Sequence, residues 1–120
     1  MEEKYFFLVK KSESSNEVEV LLEKTEIINL ELQDIYSRID SDTMEIINLG
    51  NDLILLCDEN GSFKSPTYLI NYLLEDRLLR LYGRVLIVTQ KGSELQPLNR
   101  NQADWLIDKL QINSEAILVQ

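Results

Sequence analysis

The amino-acid sequence predicts an α+β fold with a mainly antiparallel sheet of five or six strands and two or three helices packed on one face. Two observations carry this prediction: short β-branched and aromatic runs recur along the chain, and segments with helical apolar spacing lie between them. A length of 120 residues fits one domain. We therefore expect residues 1–120 to form a single α+β domain, in which 110–120 is a final strand or a tail.

The chain opens with two segments that read as strands of one antiparallel hairpin. Residues 4–10 (KYFFLVK) are rich in aromatic and β-branched side chains. Residues 17–23 (EVEVLLE) alternate, with Val18 and Val20 on one side and glutamates on the other. This period of two predicts a half-buried second strand.

A helix is expected over residues 30–39, with Asn29 as its cap. Its apolar stripe is predicted to be Leu32, Ile35, Tyr36 and Ile39. Residues 43–49 and 53–58 then form a hairpin across Gly50-Asn51-Asp52. The second of these strands is apolar throughout, which predicts a central strand buried on both faces.

The stretch LLCDENGSFKSP at 55–66 resembles a site at first sight. Its calcium-like spacing lacks the closing glutamate, so we expect no metal. Cys57 ends a buried run without a histidine to activate it, and acidic neighbours raise a thiol pKa. Asn60-Gly61 suits a type I′ turn followed by a return strand over 62–64, with Phe63 pointing into the core.

The second half of the chain carries two further helix signals around a strand. Ser65-Pro66 predicts a helix start, with residues 66–75 helical and Tyr68 and Tyr72 on the apolar side. RLLRLYG (77–83) is ambiguous between an extended segment and a helical turn, and RVLIVT (84–89) is a strand. Asn99 and Gln102 have capping-box spacing before a helix with the buried stripe Ala103, Leu106, Ile107 and Leu110.

Several kinds of chemistry lack their usual residues. The chain contains no histidine and a single cysteine, and its four glycines are isolated from one another. Histidine is the commonest general base and metal ligand, and phosphate loops need clustered glycines. We therefore predict a non-enzymatic protein with no metal and no cofactor. An enzyme that uses carboxylates alone is the third hypothesis.

Charge is unevenly distributed, although the net charge is −9. Residues 13–59 contain thirteen acidic residues, against Lys24 and Arg38. This balance argues against nucleic-acid binding, which needs clustered Lys and Arg. The segment 77–100 is basic by contrast, which permits a local anion site or a head-to-tail contact between subunits.

The basic segment supplies the candidate ligand-binding residues, Arg77, Arg80, Arg84, Lys91, Arg100 and Tyr82. Arginine forks grip phosphates, and tyrosines, including the nearby Tyr68 and Tyr72, stack on bases. The alternative is that these tyrosines pack in the core and the arginines are solvated. A nucleotide or another small anion is the ligand class that the pattern indicates.

The start of the chain lacks the basic and long apolar regions of a signal peptide, and no apolar run approaches a membrane span. We expect a cytoplasmic protein with no membrane contact. The apolar segment AILV (116–119) is either a strand or a tail that could support homo-oligomers.

Three features also resemble a known family: Leu32-Gln33, the run Leu55–Gly61, and the strand start Gly83–Val88. In this order they are similar to small uncharacterised phage, plasmid and bacterial proteins, the family called domain of unknown function 3846. The likeness extends over residues 17–110. In place of the family's Leu-Pro-Asn-like segment this chain has KSPTYLIN, with Asn71 displaced. The resemblance implies a mobile-element accessory protein, and it supplies no activity.

The leading functional prediction is therefore a small binding or interaction module with an unidentified host or phage protein as partner. Sequestration of a nucleotide or other small anion by the basic segment is the alternative.

Overall fold

A computed structural model describes residues 2–119, and it divides the chain into eleven strands, two α-helices and a 3-10 turn. In chain order the elements are β1 (Lys4–Lys11), β2 (Val18–Thr25), α1 (Leu32–Ile39), β3 (Glu45–Gly50), β4 (Leu53–Cys57), the 3-10 turn Gly61–Phe63, β5 (Thr67–Leu74), β6 (Arg77–Tyr82), β7 (Val85–Lys91), β8 (Glu94–Gln96), β9 (Leu98–Asn99), α2 (Arg100–Lys109), β10 (Leu110–Ile112) and β11 (Ile117–Val119).

The strands form two antiparallel sheets. The larger, seven-stranded sheet has the order β2-β1-β7-β4-β3, with β8 paired to β7 and β9 paired to β1. The four-stranded sheet is centred on β5, with β6 on one edge and β10 and β11 along the other. The predicted mixed α+β, mainly antiparallel fold is confirmed. The prediction of one sheet with five or six strands is only roughly matched.

The two helices lie on opposite faces of the larger sheet, so the prediction of helices on one face was wrong. On one face, α1 packs Ile35 and Ile39 against Phe6 and other buried side chains of the sheet. On the other face, Leu106 of α2 joins the core between the two sheets, together with Phe7. The reason is that the central strands are apolar on both sides, and each side has to be covered.

Several local predictions are confirmed. All five residues of β4 are buried, as expected for a central strand. The β3–β4 turn holds Asn51 and Asp52 at φ 53° and 63°, the left-handed region that such hairpins use. At the start of α2, Asn99 Oδ1 accepts from the Gln102 backbone N–H at 2.8 Å, and Gln102 Oε1 accepts from the Asn99 N–H at 3.0 Å.

The helix predicted over 66–75 is wrong, because this segment is strand β5. Its buried side chains are Ile70, Tyr72 and Leu74, which alternate with less buried ones in the period of a strand. Hydrogen-bonded neighbours on both edges satisfy the backbone of β5, and these long-range pairs override the local helix-start signal. The ambiguous segment that follows is extended, as β6.

Two turn predictions also fail. Asn60-Gly61 does not form a type I′ turn, because Asn60 has φ −103° and the chain enters the 3-10 turn instead of a return strand. Phe63 is 85% exposed and does not point into the core. The first helix begins two residues later than predicted, with Glu31 as its cap in place of Asn29.

The C-terminal segment is part of the sheet. Strands β10 and β11 pair with opposite ends of β5, so the residues up to Val119 are not a free tail. The last residue of the predicted 110–120 segment, Gln120, lies outside the described residues, as does Met1. Within the described chain, neither helix has the length and apolar character needed to cross a membrane.

Candidate binding surfaces

Strand β2 is the outermost strand of the larger sheet and exposes apolar side chains. Val20, Leu21 and Leu22 are 45%, 40% and 36% exposed. In its pairing with β1, Leu22 lies opposite Phe7 and Leu21 lies opposite Leu8. Because paired residues of an antiparallel ladder point to the same face, β2 presents apolar groups on both faces. The predicted half-buried strand is more exposed than expected, because no further strand or helix of residues 2–119 covers this part of its outer edge.

The backbone of β2 shows which groups are left unpaired by β1. The Glu17 carbonyl accepts from the Ser12 N–H at 2.8 Å, toward β1, whereas the Val18 N–H points away and donates to the Ser114 carbonyl at 2.9 Å. Groups alternate along an antiparallel strand. The N–H and C=O groups of Val20, Leu22 and Lys24 therefore point to the outer edge.

Helix α2, which is anchored to β1 at its start, carries another exposed apolar side chain. At its start, Arg100 Nη1 donates to Tyr5 Oη at 2.7 Å, and Tyr5 lies opposite Lys24 of β2. Ile107 follows Arg100 by two helical turns, so it lies on the same side of α2 as Arg100, and it is 59% exposed. We call Val20, Leu22, Ile107 and the outer edge of Val20–Lys24 the β2 surface.

A second candidate is a cleft of about 410 Å³ at the other end of the sheets. The ends of β1 and α1, the starts of β5 and β7, and the β4–β5 connection surround it. Its charged and aromatic lining is Lys11, Glu13, Asp40, Asp58, Lys64, Tyr68 and Arg84. We call this the Arg84 cleft.

Asp58 and Lys64 form a tight ion pair in the Arg84 cleft. Lys64 Nζ lies 2.6 Å from Asp58 Oδ2, and the same carboxylate accepts from Thr43 Oγ1 and the Asn60 N–H, each at 2.9 Å. Burial raises the pKa of Asp58, but the hydrogen bonds from Lys64, Asn60 and neighbouring hydroxyls outweigh it and lower that pKa to about 2. The pair therefore neutralises itself and leaves Arg84 and Lys11 as the cations of the cleft.

Tyr68 forms an aromatic wall of the same cleft. Burial raises the pKa of Tyr68, while the Lys11 backbone and the nearby Arg84 guanidinium oppose this rise. Arg84 makes no salt bridge within residues 2–119. The cleft thus combines an available guanidinium, a primary amine and an aromatic face, with Asp40 and Glu13 at its margin.

The structure separates the six predicted ligand-binding residues. Only Arg84 lines the Arg84 cleft, and Lys91 lines a different cleft of about 910 Å³ near the chain start. Arg77 Nη1 donates to the Asn48 carbonyl at 2.7 Å, and Arg80 is exposed on β6. Arg100 is engaged by Tyr5 at the start of α2. The basic segment is thus not one site.

The tyrosines divide in the same way. Tyr82 packs against the 3-10 turn, where a Cβ added to Gly61 would lie 2.9 Å from Tyr82 Cβ. Tyr72 is 1% exposed and belongs to the core, which matches the alternative interpretation of these aromatic residues. Tyr68 alone of the three lines the Arg84 cleft.

Sequence reasoning missed Lys11, which lies far from Arg84 in the chain. The two residues meet because β1 pairs with β7, with Val9 opposite Val85. In this antiparallel pair Lys11 comes just after Val9 and Arg84 just before Val85, so both lie at the same end of the two strands. The pairing itself is a long-range feature. Sequence reasoning also missed that β2 is an edge strand, because this depends on the order of the strands in the sheet.

Cys57 behaves as predicted. Its side chain is buried at the end of β4. Burial, and then the nearby Glu45 and Asp58, raise the pKa of the thiol to about 12. The thiol is therefore neutral at physiological pH.

Comparison with known proteins adds no family to this description. No family model, no curated protein and no solved structure matches the chain.

Proposed function

We propose that this protein is a non-enzymatic interaction module that binds another protein through the β2 surface. The observation that carries the proposal is the outer edge of β2, where free backbone groups lie between exposed apolar side chains on both faces. An edge strand of this kind is a template for pairing with another chain. Exposed apolar side chains next to such an edge add affinity when a partner covers them.

The opposite edge of the same sheet offers a comparison. Strand β3 is also outermost, and Ile46 is 56% exposed. At that edge, however, the Arg77 side chain of β6 donates to the Asn48 carbonyl of β3, so part of the edge is already in contact with the smaller sheet. Of the two edges, the one formed by β2 is therefore the better docking site.

The test is site-specific photo-cross-linking in cells, with a photoreactive phenylalanine analogue placed at Leu22 or Ile107. Ile46 is the control on the other edge strand, since at 56% it is more exposed than Leu22 (36%) and about as exposed as Ile107 (59%). We expect one partner to cross-link from both β2-surface positions and not from Ile46. Cross-links that form only from Ile46, or none from the β2 surface, would reject the proposal.

A second function is favoured by the Arg84 cleft, namely sequestration of a small anion such as a nucleotide. Its support is the meeting of Arg84, Lys11 and Tyr68 around about 410 Å³ of space. A guanidinium and an amine would hold phosphate oxygens, and Tyr68 would stack on a planar group. A thermal-shift screen against nucleotides and inorganic phosphate tests this function. Stabilisation that Arg84→Ala removes and Arg80→Ala retains would support it, and no stabilisation by any anion would end it.

A carboxylate-only enzyme has less support. The Arg84 cleft does hold acids, but Asp58 is paired with Lys64 and has a pKa of about 2. A carboxyl group that is ionised at neutral pH cannot serve as a general acid there. The role of a phage or plasmid accessory protein, which the family resemblance implies, is compatible with an interaction module and stays a prediction.

A further inference from the structure

We infer that the partner of the β2 surface is an extended segment in which Lys or Arg alternates with apolar residues, and that this segment adds to the sheet beside Val20–Lys24. The inference rests on the proposed function and specifies the chemistry of its partner. It follows from three properties of β2: its free backbone groups, the apolar side chains on its inner face, which is the face toward α2, and the two glutamates that flank Leu21 on its outer face, which is the face toward α1.

The backbone fixes an extended partner. Val20, Leu22 and Lys24 each direct an N–H and a C=O outward. At the start of β2, by contrast, the outward N–H of Val18 already donates to the Ser114 carbonyl. The free part spans about 16 Å at the usual rise of a strand. A strand of about five residues would satisfy all of these groups.

The two faces of β2 fix the side chains of that partner. Val20 and Leu22 lie on the inner face, opposite Val9 and Phe7 of β1. The outer face carries Glu19 and Glu23 on either side of Leu21. Since directly opposite residues share a face, the partner should place apolar groups against Val20 and Leu22.

The outer face should attract basic residues, because its acids are only partly compensated. Arg38 of α1 lies 3.9 Å from Glu23, whereas Lys10 of β1 lies opposite Glu19 in the strand pairing but forms no salt bridge with it. The chain as a whole carries −9, which favours approach by a basic segment. Lys or Arg opposite Glu19 and Glu23 completes the alternation.

A second copy of β2 fits this edge poorly. A two-fold axis through an antiparallel strand pair must place residues of the same face opposite one another. Centring the pair on Leu21 sets Glu19 opposite Glu23 twice, and centring it on Val20 sets Glu17 opposite Glu23 twice. Centring it on Leu22 brings the two Glu23 side chains together on the diagonal. Opposed like charges destabilise each arrangement, so the partner is better supplied by another protein.

The experiment uses a fluorescent synthetic peptide of eight residues that alternates Lys and Val, with binding followed by anisotropy. Two control peptides have the same composition in scrambled order, or Glu in place of Lys. The full chain is compared with the double variant Glu19→Lys/Glu23→Lys. The matched control is Glu59→Lys/Glu94→Lys, which changes the net charge equally at exposed positions outside β2.

We expect the alternating peptide to bind the unaltered chain more tightly than either control peptide. The β2 double variant should weaken binding by about ten-fold, and the control double variant by less than about two-fold. Equal losses in both variants would show attraction to net charge only and would overturn the inference. Absence of binding to the unaltered chain would also overturn it.

Backbone amide exchange provides a readout that needs no variant. Peptide binding should slow exchange of the Val20, Leu22 and Lys24 amides and leave the β3 edge unchanged. Protection at β3 instead would overturn the inference, as would a concentration-dependent dimer of the chain alone that protects β2. Cross-linking from Leu22 to a partner without a basic–apolar segment would reject this inference while retaining the proposed function.

Discussion

The Val18 N–H donates to the Ser114 carbonyl at 2.9 Å, and this bond joins the outer strand of the larger sheet to the C-terminal segment. Next to it, the Ala116 N–H donates to the Asn16 carbonyl at 2.7 Å. The C-terminal segment thus covers the first part of the β2 edge and then continues as β11 beside β5. Its end defines where the free part of the β2 surface begins.

Removal of residues 114–120 should destabilise the protein and promote self-association. The truncation deletes β11 and uncovers the edge of β5 around Leu69, while it also frees the Val18 N–H. Urea unfolding should show a lower free energy of unfolding, and sizing should show larger species as concentration rises. If sizing showed that the truncated chain forms smaller oligomers than the intact chain, residues 114–120 would instead be the contact between subunits.

The Asp58–Lys64 pair should make stability depend on pH in the acid range. The folded-state pKa of Asp58 is lowered from 3.8 to about 2, so its stabilising contribution is full above about 3.8 and is lost as pH falls toward 2. Asp58→Asn should reduce the free energy of unfolding by about 1–3 kcal/mol at pH 7. The difference between Asn and Asp proteins should shrink between pH 4 and 2, as chemical unfolding at several pH values would show. A difference that is constant with pH would contradict this account.

Gly61→Ala should destabilise the β4–β5 connection. An added Cβ would lie 2.9 Å from Tyr82 Cβ, closer than real Cβ atoms approach, so the turn or β6 must shift. We expect a loss of about 1–3 kcal/mol in thermal or urea unfolding. The exposed neighbour Ser62 is the control, and Ser62→Ala should change stability far less. Equal effects of the two substitutions would refute the close contact.

Asn99→Ala should destabilise the start of α2, the helix that carries Ile107. The substitution removes the side-chain acceptor for the Gln102 N–H, and loss of such a cap destabilises by about 1 kcal/mol. Asn101→Ala, two residues further along in the first turn of the same helix and exposed, is the control. The free energies of unfolding from urea titration should differ between the two variants. An Asn99→Ala protein as stable as the Asn101→Ala protein would speak against the capping box.

Local signals were sufficient for much of this fold. The alternation in β2, the apolar run of β4, the turn at Asn51-Asp52 and the spacing of Asn99 and Gln102 each determine structure from neighbouring residues. Local signals gave the wrong prediction for residues 66–75. Ser65-Pro66 is typical of a helix start, and Tyr68 and Tyr72 have the spacing of a helical apolar stripe. The pairing of β5 with β6, β10 and β11 decides its structure, and this pairing is invisible in a local window.

The candidate sites depended still more on long-range order. The basic segment is continuous in sequence, but Arg84 and Lys91 lie at opposite ends of the extended strand β7, so they line separate clefts. The alternation of Val18 and Val20 with glutamates was visible from sequence. That β2 is outermost follows from the sheet order and could not be read from the pattern alone.

The most direct test of the account is residue-resolved amide exchange of β2, measured for the chain alone and bound to the partner cross-linked from Leu22. In the free chain, the amides of Val20, Leu22 and Lys24 should exchange fast and those of Leu21 and Glu23, which pair with β1, should exchange slowly. Binding should protect the first three. Protection of those three amides in the free chain, or their unchanged exchange in the complex, would contradict the assignment of β2 as the binding edge.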